Sequence, residues 1–146
     1  LEATLLAGTT QGKFRVWVSD GVNTATDVTD GVFTVPNKAP QINSVLPLSG
    51  TNYVLSQTIS FEAQTYDIED GALPDDHITW ESDLDGVLGT GALLQLDTLS
   101  LGTHHITLSV RDNQNVYTTT TLVITVGPAE ETGGVAPDVY LPLIMR

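Results

Sequence analysis

The residues best placed to do chemistry are acidic, and they sit between strand-like runs. The stretch Thr65-Tyr66-Asp67-Ile68-Glu69-Asp70-Gly71 is one such group. Arg111-Asp112-Asn113 ends a later strand pattern, and Pro36-Asn37-Lys38-Ala39-Pro40 precedes the first strand of the same unit. Clustered carboxylates with amide and backbone oxygens are what a hard cation such as calcium takes, six to eight oxygens at a time. Asp67, Asp70 and Asp112 would give carboxylates and Asn37 an amide oxygen, with backbone carbonyls of Lys38 or Ile68 adding more. The competing reading is that Asp, Asn and Gly are ordinary turn formers, because their side chains bond the local backbone.

Other chemistry has little support. There is no Cys, which excludes disulfides, thiolate zinc sites and a Cys nucleophile. His104 and His105 are neighbours on a strand pattern and point to opposite faces, so they make poor joint ligands. No Gly-x-Ser-x-Gly elbow, His-Glu-x-x-His or phosphate loop occurs. The chain is therefore not expected to be an enzyme. Ser82-Asp83-Leu84-Asp85-Gly86 lacks the spacing of an EF-hand loop and reads as a turn, with a second cation as the weaker alternative.

Composition narrows the partners. Eighteen acidic side chains face five basic ones, a formal net charge of −13. Such a chain repels nucleic acid and anionic membranes, whose phosphates need Lys and Arg. No apolar run approaches membrane-spanning length. The chain starts at Leu1 without a signal-peptide pattern and reads as a fragment of something longer.

The elements that must position the acids are strands. Phe14, Val16 and Val18 alternate with Arg15 and Trp17. Ile59, Phe61 and Ala63, then Ile106, Leu108 and Val110, then Leu122, Ile124 and Val126 show the same period of two. Short half-buried strands divided by Gly, Asp, Asn and Pro predict an all-β protein, an immunoglobulin-like antiparallel β-sandwich. The chain also repeats itself. Phe14 to Gly21 matches Ile106 to Asn113 in pattern, and each is followed by an apolar pair, Phe33/Val35 or Ile124/Val126. The offset is that of a small sandwich domain.

This predicts three parts. Residues 1–36 are the last three strands of a preceding, partial copy of a similar sandwich. Residues 37–127 are the joint and one complete sandwich. Residues 128–146 are a linker and tail, the tail being either a docked C-terminus or an export or sorting signal. Three strands cannot close a sandwich, so the apolar face of residues 1–36 is expected to pack on the tail near Tyr140 or on another copy. Numbered A to G, the complete sandwich brings the start of A, the end of B and the end of F to one pole. That would gather Asn37, Asp67, Asp70 and Asp112. Trp80, on the third strand, is expected in the core; Trp17 is the better exposed aromatic.

Residues 40–127 resemble the PKD-like and related immunoglobulin-like modules of secreted bacterial proteins. The matching stretches are Ala39-Pro40-Gln41-Ile42, Ile59 to Ala63, Tyr66 to Gly71, Ile78 to Gly91 and Leu101 to Asp112. The usual Gly-Asp-Gly after the core Trp reads Leu84-Asp85-Gly86 here. The resemblance implies a non-catalytic spacer or adhesion module, secreted or at the cell surface. It also implies calcium where the chain enters the domain, as several relatives have. Its partners would be neighbouring domains of the same chain, or an extracellular protein or polysaccharide. The alternative is a carbohydrate- or protein-binding accessory module of an extracellular hydrolase, with any chemistry upstream of Leu1.

Overall fold

The computed structural model describes residues 6–129. The tail around Tyr140 lies outside them. Strands dominate, joined by turns and one short 3₁₀ turn at Asp75–His77.

The first four strands form a single interrupted hairpin. β1 (Thr9–Gly12) pairs with β4 (Phe33–Val35), and β2 (Arg15–Ser19) pairs with β3 (Thr24–Val28), all antiparallel. Between the partners Gly12↔Phe33 and Arg15↔Val28, residues 13–14 face residues 29–32, so the return strand bulges outward. The Thr29 N–H donates to the Phe14 carbonyl at 3.0 Å across the break. Phe14 stacks on Phe33 with centroids 4.6 Å apart. Gly12 leaves room for that ring, since a Cβ there would lie 2.7 Å from Phe33. The three expected strands are thus two long ones, each broken once.

The remaining strands build a two-layer sandwich. β5 (Gln41–Leu46), β7 (Ile59–Tyr66) and β10 (Leu93–Leu96) make one sheet in the order β10-β7-β5. β6 (Thr51–Val54), β8 (Ile78–Ser82), β9 (Gly86–Thr90), β11 (Gly102–Arg111) and β12 (Tyr117–Gly127) make the other, in the order β6-β12-β11-β8-β9. All pairings are antiparallel except β6 with β12, which run parallel. The strand leaving β5 thus switches sheets and seals the edge of β12, covering backbone groups that would otherwise be an open edge.

The core lies where the alternation placed it. Ile59, Phe61 and Ala63 of β7 face Trp80 of β8, Ile106, Leu108 and Val110 of β11, and Leu122, Ile124 and Val126 of β12. Trp80 is fully buried, its ring centroid 5.3 Å from that of Phe61, and its Nε1–H donates to the Gly91 carbonyl at 3.0 Å. Burying side chains of this size contributes roughly 1.5–3 kcal/mol each.

The two matched stretches end in the same kind of turn. Asp20 and Asp112 each close a turn after their strand: Asp20 Oδ1 accepts the Val22 and Asn23 N–H groups, and Asp112 Oδ1 those of Gln114 and Val116. Counted from these aspartates, Phe14, Val16 and Val18 match Ile106, Leu108 and Val110. The latter three are 0% exposed; the former are 48%, 58% and 64% exposed. The same face of the same kind of hairpin is core in one copy and open in the other.

Candidate functional site

The site is assembled by pairing register. Gln41, the first residue of β5, pairs with Tyr66, the last of β7, so the linker Asn37–Pro40 runs beside the turn 67–71. Tyr117 pairs with Arg111, and the Thr118 hydroxyl donates to the Pro40 carbonyl at 2.6 Å. The start of β5, the end of β7 and the β11–β12 turn therefore share one pole; the strand expected second is the third, because β6 intervenes.

Each acid there has a defined place. Asp67 is fully buried, and its Oδ1 accepts the N–H groups of Glu69 and Asp70, both at 2.8 Å. Its backbone bridges to Gly71, whose φ of +75° is easy for glycine and costly for other residues. Asp70 Oδ2 accepts the Asn113 N–H at 2.9 Å, tying the two turns together. Asp112, also fully buried, has Oδ2 2.6 Å from the Asn37 amide nitrogen. Burial pushes the Asp112 carboxyl upward, but donors from Val116, Asn37 and Gln114, with His77 nearby, outweigh it and hold the group below the usual aspartate value.

Glu69 was part of the acidic stretch but absent from the expected ligands Asn37, Asp67, Asp70 and Asp112. Its side chain is only 7% exposed. Oε1 accepts the Gly8 N–H from the hairpin, and the Lys38 ammonium lies 3.8 Å away. That ammonium also donates to the Leu6 carbonyl. A Cβ on Gly8 would come within 2.9 Å of both Asn37 Cα and Glu69 Oε1, so only glycine permits this approach. The signal sequence reading lacked was the hairpin as a partner, since strand periodicity says nothing of contacts between units.

The structure thus brings Asn37 onto Asp112, and Asp70 onto the residue after Asp112, as hydrogen-bonded pairs. Among the described residues no three carboxylate or imidazole groups stand together at metal-coordinating spacing. Three buried oxygens there have no hydrogen-bond donor: Asn37 Oδ1, Asp67 Oδ2 and Glu69 Oε2. Buried acceptors normally find a partner, so each of these is an unmet hydrogen-bonding demand. A cleft of about 280 Å³ between the hairpin and the linker is lined in part by Gly8, Pro36, Asn37 and Gln114.

The opposite pole is occupied differently. His104 is fully buried, with Nδ1 2.8 Å from Ser82 Oγ and Nε2 2.8 Å from the Ser100 carbonyl. Asp83 meets His105 on the surface at 2.9 Å, and Asp85 Oδ2 accepts the Ser100 N–H. Ser82, His104 and Asp85 have the residue types of a hydrolytic triad, but Ser82 is 1% exposed and its oxygen already caps the turn at Leu84 and Asp85. They lock the end of β8 to β11. Trp17 is 69% exposed, with the Arg15 guanidinium 5.9 Å over its ring.

No described helix is long and apolar enough to cross a membrane. No protein-family model matches the chain, nor does any curated protein sequence. Among solved structures, it is similar to a fibronectin(III)-like module of Clostridium thermocellum CbhA. The TM-score is 0.45 at 11% identity over 60% of this chain and 93% of that one. It is also similar to the N-terminal four Ig domains of Dscam1 isoform 6.9, with a TM-score of 0.44 at 16% identity over 80% of this chain and 27% of that one. The chain has the fold of an immunoglobulin-like β-sandwich preceded by a β-hairpin of the same pattern.

Proposed function

We propose that this chain is a non-catalytic, immunoglobulin-like spacer or adhesion module whose joint to a preceding module is stiffened by calcium. Residues 9–35 supply the last two strands of that preceding module, whose other sheet covers Phe14, Val16 and Val18. The resemblance to PKD-like modules suggests a secreted or surface bacterial protein.

The observation that carries the calcium reading is the set of donorless buried oxygens of Asn37, Asp67 and Glu69, of which Asn37 lines the inter-unit cleft. Asp112 and Asp70 complete the expected oxygens, the Asn37–Asp112 hydrogen bond giving way to shared coordination. A divalent ion would relieve the cost of burying these carboxylates and fix the linker against both turns.

Thermal unfolding in calcium and in chelator tests this. A ligand that binds only the native state raises the melting point, by roughly 10–20 °C at a hundredfold excess over Kd for a domain of this size. An unchanged melting point at millimolar calcium would sink the metal reading and leave the fold untouched.

The exposed Trp17 under Arg15 favours a second reading, a module that binds a polysaccharide or protein through this aromatic. A shift of Trp17 fluorescence on adding oligosaccharide would favour it over a plain spacer.

A further inference from the structure

We infer that the outer face of the β10-β7-β5 sheet is a docking groove for an extended protein segment, which sets an arginine side chain onto Glu62. The inference rests on the adhesion half of the reading above, to which it adds a surface and a partner class, and it is independent of the calcium joint.

Register builds the groove. Glu62 of β7 pairs with Leu93 of β10 on one side and with Leu46 of β5 on the other. One row across three strands therefore reads Leu-Glu-Leu, with its side chains on one face. Phe61 and Ala63 point into the core, so the Glu62 face is the outer one. Both leucines are exposed, and they wall a cavity of about 270 Å³ that Ser44, Glu62 and Gln64 also line. Small-molecule sites run from about 300 to 1,000 Å³, so this space suits one long side chain better than a whole ligand. The face continues beyond it, with Ser44 beside Gln64 and Gln41 beside the exposed Tyr66. Among the described residues of the three strands, Glu62 is the one charged side chain.

Charge names the occupant. Single exposed leucines are ordinary, but two that flank a carboxylate without a counter-ion are a built contrast. The ion pairs of the described residues engage Glu69, Asp85, Asp83 and Asp76, and none engages Glu62. Its described hydrogen bond is a long one, from the Ser60 hydroxyl at 3.4 Å. With five basic side chains against eighteen acidic, the chain has few cations of its own to place there. Arginine fits better than lysine. Its aliphatic stem would lie along the leucines, and its planar fork would meet the carboxylate with two hydrogen bonds. The remaining donors have the Gln64 amide oxygen and the Ser44 hydroxyl as acceptors. Leucine walls keep water off the pair, which lifts it above an ordinary surface salt bridge.

The test uses the full 146-residue chain. The probe is a peptide capped at both ends, Thr-Val-Arg-Val-Thr. Its control carries citrulline for arginine, which keeps the shape and removes the charge. Proton–nitrogen correlation spectra map the site and give the Kd. The arginine peptide should shift the amides of Leu46, Glu62 and Leu93. The citrulline peptide should bind roughly ten- to a hundredfold more weakly, the effect of losing a charged hydrogen-bonding partner. Glu62→Gln should weaken the arginine peptide by the same factor and make the two peptides equal. Glu81→Gln removes the same charge from the outer face of the other sheet and should leave binding unchanged. Equal losses in Glu62→Gln and Glu81→Gln would mean attraction by net charge alone and would overturn the groove. Equal affinity of the two peptides for the parent chain would overturn it too, and that result needs no variant to fold. Argininamide binding as tightly as the peptide would overturn the protein segment as partner. An absence of shifts with the arginine peptide would end the proposal and leave the spacer reading and its calcium melting test standing.

Discussion

The Asn37 amide nitrogen lies 2.6 Å from Asp112 Oδ2, joining the linker to a strand end 75 residues away. The contact exists because β5 starts beside the end of β7 while β11 ends at the same pole. Asp112 also organises its own turn through Oδ1, so one buried carboxylate serves the linker and the β11–β12 hairpin together.

Acid should therefore weaken the module through Asp112. Burial raises its pKa and hydrogen bonds from Val116, Asn37 and Gln114 lower it, and the net shift is downward. A folded-state pKa below the unfolded one gives stability that is complete above about pH 4 and lost as the pH falls through the folded value. Asp112→Asn should cost about 1–3 kcal/mol at neutral pH by mispairing Asn37. It should also flatten the fall in stability below about pH 4. Urea denaturation at a series of pH values checks both; an unchanged acid limb would remove Asp112 as its source.

The two tryptophans should behave oppositely. Trp80 is fully buried against Phe61 and donates to Gly91, whereas Trp17 is 69% exposed. Trp80→Ala should cost about 3–5 kcal/mol through cavity formation and a lost hydrogen bond. Trp17→Ala should stay within about 0.5 kcal/mol. Denaturation curves give the energies. Acrylamide quenching of Trp80→Phe and Trp17→Phe separates the spectra, the second retaining the protected, blue-shifted emission.

His104 should be a structural residue. Its two ring nitrogens bridge Ser82 and Ser100 inside the sandwich. His104→Leu keeps the apolar bulk but strands both partners, and should cost about 2–4 kcal/mol. An unchanged midpoint in urea would mean that neither bond contributes.

Period-two alternation made the core legible, because a buried strand face strongly favours apolar side chains. Ile59, Phe61, Ala63, Ile106, Leu108, Val110, Leu122, Ile124 and Val126 were all readable as inward-facing before any coordinates, and all are buried. Position 104 continues the β11 face, yet a polar residue there hides its burial, since only the partners Ser82 and Ser100 make it tolerable. The parallel β6–β12 pairing was not legible either, because Thr51–Val54 alternates like any half-buried strand and its partner lies far along the chain. The common pole of Asn37, Asp67, Asp70 and Asp112 followed from strand order alone. Glu69 as a contact to the hairpin did not, because it depends on how two units meet.

The hairpin and the sandwich should part under protease. Among the described residues β2 and β3 pair only with each other, and every residue in them is exposed. Among the described residues the hairpin is hydrogen-bonded to the module through Gly8 on Glu69 and Leu6 on Lys38. Lys13 and Arg15 lie in this open segment, whereas Arg111 is the last residue of β11, paired to both β12 and an acidic neighbour. Trypsin needs locally unfolded backbone, so cleavage should track local opening. Brief digestion should cut at Lys13 and Arg15 first, then at Lys38 once the hairpin is lost, leaving a fragment that begins at Ala39 and is still intact at Arg111. Mass spectrometry reads the order. Gly8→Ala, which crowds Glu69 and Asn37, should speed the cut at Lys38 without changing the melting point of the Ala39 fragment. Early cleavage at Arg111 would mean that the sandwich, and not the joint, is the weaker unit.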